Sequence, residues 1–179
     1  MALKNDKLYK DLVSIIELHE AKNEEDFVNK IVDELDKHIK FNAEDYIYGN
    51  TIIKTNPELL KKAWTTGFLL LKSNITNSDL IIRLASMLFT AGINLYWLNS
   101  QLSYTILPPG TTSVVANFVV APSPILFPIE LINTDNPGEI VENIIRSFRF
   151  SMQAMTGITI AMVPGTPPIP TLFYWHGLS

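Results

Sequence analysis

Three histidines, His19, His38 and His176, are the only imidazoles in a chain of 179 residues that has no cysteine. An imidazole binds metal or carries a proton usefully only beside a second polar group, and on a helix that neighbour lies three or four residues away. Glu34 and His38 have this spacing, which is half of a metal site. No third ligand stands at a distance along the chain that helix geometry would bring alongside. The pair therefore reads as a solvated couple on a charged helix, and neither a metal nor a cofactor is expected. His176 follows Phe173-Tyr174-Trp175 and reads as a packing residue rather than a base. The missing thiols exclude a disulfide framework, a thiolate metal site and a cysteine nucleophile, and they favour a reducing compartment.

Other candidates for chemistry are equally bare. Asp33, Glu34 and Asp36 cluster in a charge-rich helical pattern, whereas a glycosidase pair projects from an aromatic cleft. Pro109-Gly110-Thr111 and Pro164-Gly165-Thr166 look like phosphate loops but lack the Lys-bearing pattern and any nearby base, so turn chemistry accounts for them. The serines have no nucleophile elbow around them. No catalytic residue is assigned, and no enzyme is expected.

The elements that would carry these residues follow from periodicity. Asp6 to Glu20 has Leu8, Leu12, Ile15 and Ile16 on one stripe, predicting a helix. Asn23 is an N-cap for a second, with Phe27, Ile31, Leu35 and Ile39 every four residues. Residues 41–55 read as a connection. Asn56-Pro57 opens a third helix to about Lys72, and Ser78 caps a fourth reaching about Asn99. Thereafter the β-branched and aromatic runs from Leu102 and from Ser113 read as strands, and the prolines within 125–132 demote that stretch to an edge strand or loop. Asn136-Pro137 opens a fifth helix to about Met155, and the tail is strand-like and Pro-rich. The expected class is α+β: a helical N-terminal half of about four helices, then uncharged strand- and Pro-rich segments with one further long helix. A charged helical region, 1–77, and a low-charge region, 78–179, are expected to pack as one domain. The two Pro-Gly-Thr turns, each after a long helix, suggest a weak internal duplication.

Charge divides the chain more sharply than structure does. Residues 1–83 hold 26 of the 32 charged side chains, and Leu84 to Ile129 has none. A net charge of −4 lacks the basic footprint of nucleic-acid binding. A polar N-terminus without an apolar segment gives no secretion signal. Leu80 to Leu98 approaches the length of a membrane span but contains Arg83 and Asn94, and Pro and Gly interrupt the later apolar runs. Burial against other subunits suits a charge-poor half better, because obligate interfaces resemble a domain core cut in two. Trp97, Phe118, Phe127, Tyr174 and Trp175 are the candidate interface anchors.

The uncharged stretches "LPPGTTSVVANFVVAPSPILFPI" and "ITIAMVPGTPPIPTLFYW", joined to a charged helical N-terminus without cysteine, resemble small neck, tail or baseplate subunits of tailed-bacteriophage virions. The resemblance is one of texture over about half the chain and transfers no functional residue. It implies a non-enzymatic assembly subunit, made in the host cytoplasm and located in the virion, whose partners are itself and other structural subunits. A membrane-inserting or pore-forming protein and a small-molecule-binding or hydrolytic domain are the alternatives.

Overall fold

A computed structural model describes residues 6–17, 23–46, 52–73, 78–98, 100–106, 112–120, 136–153, 155–162 and 169–174. Its five described helices are α1 (Asp6–Glu17), α2 (Glu24–Tyr46), α3 (Pro57–Lys72), α4 (Ser78–Trp97) and α5 (Pro137–Gln153). The start signals act as their chemistry requires at α2, where the Asp26 amide donates to Asn23 Oδ1 at 2.8 Å. At α3, Pro57 occupies the first turn, but Asn56 makes no side-chain cap. Asn56 Nδ2 instead donates to the Leu98 carbonyl, fastening the start of α3 to the end of α4.

The α+β class is corrected here. Where side chains are described, 90% of the residues are helical, in five helices and no strand, which points to an all-helical body. The physical reason lies in where the apolar residues go: every buried hydrophobic among the described side chains sits on a helix, from Leu8 on α1 to Phe148 on α5. The long charge-free run thus contributes to the core through the helical period of α4. Outside this body, backbone segments β1 (Ile52–Lys54), β2 (Gln101–Ile106), β3 (Thr112–Val120), β4 (Met155–Met162) and β5 (Ile169–Tyr174) run as an antiparallel ladder in chain order. Ile52 lies opposite Ser103, Leu102 opposite Ala116, and Ile158 opposite both Asn117 and Leu172. β1 falls within the stretch read from sequence as a connection. The 125–132 segment and both Pro-Gly-Thr turns lie outside the described residues.

One core joins helices from both the charged and the low-charge regions. α3 and α4 form its tightest pair, antiparallel, with Gly67 under the Phe89 ring and Gly92 under the Trp64 indole. A Cβ on Gly67 would stand 2.8 Å from Phe89 Cε2, and one on Gly92 only 2.7 Å from Trp64 Cδ1. Each glycine is the socket for an aromatic ring of the facing helix, so the absent side chains set how closely the helices approach. Trp64 also donates its indole N–H to the Phe89 carbonyl at 3.1 Å. Phe148 of α5 meets Trp64 and Tyr96 edge-on at 6.1 and 5.5 Å between ring centroids, an orientation that sets ring edge against ring face.

Candidate interaction surface and buried polar centres

α4 is apolar on two sides. Ile81, Ala85, Phe89, Ile93, Tyr96 and Trp97 face the core, while Leu80, Leu84, Met87, Ala91 and Leu98 are exposed. The exposed set recurs at steps of four, three, four and seven, the stripe that one helix offers another. Met87 is 56% exposed, Leu80 50% and Leu98 45%, more than residues at the rim of a core would be. Arg83 is the one basic residue of the helix. An aromatic criterion for interface anchors does not reach this stripe, which is aliphatic. Its signal was present: a helix apolar all round has more hydrophobic surface than one core can take.

Of the five proposed anchors, Trp97 is corrected to a core residue. It is fully buried and its Nε1 donates to Ser151 Oγ on α5 at 3.0 Å, so its indole is unavailable to a partner. Phe118 lies on β3 opposite Gly157 of β4, and Tyr174 on β5 opposite Thr156, both placed by backbone alone. Phe127 and Trp175 lie outside the described residues, as do His19 and His176.

Two polar centres occupy the α2 side of the body. Asp36 is buried, and its carboxylate accepts from Tyr96 Oη at 2.8 Å and from Thr55 Oγ1 and Lys40 Nζ at 2.5 Å each. A buried carboxylate with three donors is satisfied, and this one binds α2 to α4 and to the residue after β1. Burial, reinforced by the Asp36 charge, pushes the Tyr96 hydroxyl well above the usual phenol range, so it remains a donor. Nearby, Lys61 lies between Asp33 and Glu58, 2.8 Å from each. Burial opposes its charge, but the hydrogen bonds to the two carboxylates prevail and hold it above the usual lysine range.

The second centre is His38. Its Nε2 lies 3.1 Å from Glu34 Oε1 and 3.3 Å from Asp11 Oδ2. The three ligand-type atoms all lie within 4.8 Å of one another. Glu34 and His38 are the pair recognised in the sequence, and Asp11 is the group that spacing could not supply: α1 packs against α2 and brings it across. The imidazole itself is buried, and its Nδ1 has no hydrogen-bond partner among the described residues.

Comparison with known proteins returns no family model, no curated protein and no solved structure that matches the chain.

Proposed function

We propose that this chain is a non-enzymatic assembly subunit that docks through the outer face of α4 onto further copies of itself. The observation that carries the proposal is the exposed stripe of Leu80, Leu84, Met87 and Ala91 on α4, a helix whose opposite face is already packed, with Leu98 just past its end. A 3–4 apolar repeat is the seam of helix-on-helix association, and the same patch on each copy makes a two-fold contact self-complementary. The texture shared with bacteriophage neck, tail and baseplate subunits supplies the setting for this reading, a virion assembled in the host cytoplasm. The ladder order leaves β1 and β5 at its two ends, where backbone groups can extend pairing into a neighbouring subunit.

A membrane role is the second reading, favoured by one observation: Asp79–Trp97 is long and apolar enough to cross a bilayer. Half of that window is buried inside the protein, so spanning would require extracting Phe89, Tyr96 and Trp97 from the core. Helices that lie on membranes carry lysine and arginine along the polar face, and α4 has Arg83 alone. Light scattering behind a sizing column tests the assembly reading on the full chain and on Leu84→Lys/Met87→Lys. Association by the parent and a monomeric, equally helical double variant are expected. A parent that stays monomeric at every concentration refutes self-docking, and cosedimentation with anionic liposomes abolished by the same substitutions would establish the membrane reading instead.

A further inference from the structure

We infer that Asp11, Glu34 and His38 form a binding site for a divalent transition-metal ion of the zinc type, joining α1 to α2. The donor set is one imidazole nitrogen and two carboxylate oxygens, a combination that suits zinc-like ions, whereas magnesium and calcium prefer oxygen alone. Spacing agrees with the chemistry. A tetrahedral ion about 2.0–2.1 Å from its ligands separates them by about 3.3–3.4 Å, and an octahedral one separates neighbours by about 2.9 Å. Nε2 stands 3.1 Å from Glu34 Oε1 and 3.3 Å from Asp11 Oδ2, between those limits.

A second observation sets this cluster apart from an ordinary surface ion pair. The His38 side chain is 6% exposed and directs Nε2 at both carboxylates, with Glu34 at 18% and Asp11 at 37% forming the route to solvent. The buried ring is thus held in place before an ion arrives, and the open side leaves room for water to complete the coordination. A divalent ion placed between the ring and the two carboxylates takes the neutral imidazole as ligand and neutralises both anions. Lys37 Nζ competes for Glu34, at 3.1 and 3.2 Å from its two oxygens. It is 68% exposed and can swing into water as the ion enters. Such an ion would clamp the N-terminal helix to the body, a role independent of the α4 docking face.

The test is isothermal titration of the full chain with Zn²⁺, together with thermal unfolding with and without the ion. One ion per chain and a raised melting temperature are expected. Asp11→Asn, at the most exposed ligand, should keep the helical circular dichroism and lower affinity by at least about ten-fold. Glu34→Gln provides a second variant should the first be misfolded. No binding by the parent at about 100 μM Zn²⁺ overturns the site, that concentration being weak for a three-ligand centre. Affinity unchanged in Asp11→Asn or Glu34→Gln also overturns it, because the ion would then be held elsewhere.

Discussion

Replacing Gly92 by alanine sets helix propensity directly against packing. In an exposed helix interior the change would stabilise by about 1 kcal/mol, since alanine restricts the unfolded chain and suits the helix. Here the new Cβ meets Trp64 Cδ1 at 2.7 Å, Trp64 Nε1 at 2.9 Å and Ala63 Cβ at 3.1 Å. Carbon atoms rest about 3.5–4.0 Å apart, so the indole must retreat by nearly 1 Å. It has little room to do so: Nε1 is tied to the Phe89 carbonyl at 3.1 Å, and the ring packs on Phe89 and Phe148. Overpacking of this kind costs about 1–3 kcal/mol, and breaking the indole hydrogen bond adds about 1 kcal/mol. After the propensity gain, a net loss of about 1–3 kcal/mol is expected. For a chain of this size that lowers the melting temperature by about 2–12 °C. Urea unfolding followed by circular dichroism measures it. A Gly92→Ala protein at least as stable as the parent would refute the close α3–α4 approach on which the core is built.

Tyr96→Phe removes one of three donors to the buried Asp36 carboxylate and should cost about 1–2 kcal/mol in urea unfolding; an unchanged midpoint would mean that the bond contributes nothing. The same tyrosine predicts a pH dependence. Its folded-state pKa is raised, so the native protein holds this proton longer than the unfolded chain does. The resulting stability is fully present below about pH 10, the unfolded phenol value, and is lost as pH rises through the folded value. Midpoints measured from pH 8 to 11 should therefore fall more steeply for the parent than for Tyr96→Phe, and parallel slopes would exclude Tyr96 as their source.

How much of this was legible in the sequence differs from element to element. The helices near Asp6, Asn23, Pro57, Ser78 and Pro137 were legible because their signals are local: a cap, a proline in the first turn, apolar residues every three or four positions. Their ends were less so: α2 runs on to Tyr46, into the stretch read as a connection, because no strong terminator stands at residues 41–46. The class was misjudged because β-branched and aromatic composition signals an extended backbone without saying whether those residues join the core.

The chain's linear order by itself determined where helices begin, that charge is concentrated before Arg83, and that Glu34 and His38 share a helix face. Those properties depend on neighbours within a few residues. Tertiary structure alone decided that Asp11 completes a three-ligand cluster with them, because only the packing of α1 on α2 brings together residues more than twenty positions apart. It alone decided that Trp97 turns inward to Ser151 while Leu84 and Met87 stay exposed. A helix that is apolar all round gives no indication of which face its own core will claim until the other helices have packed against it.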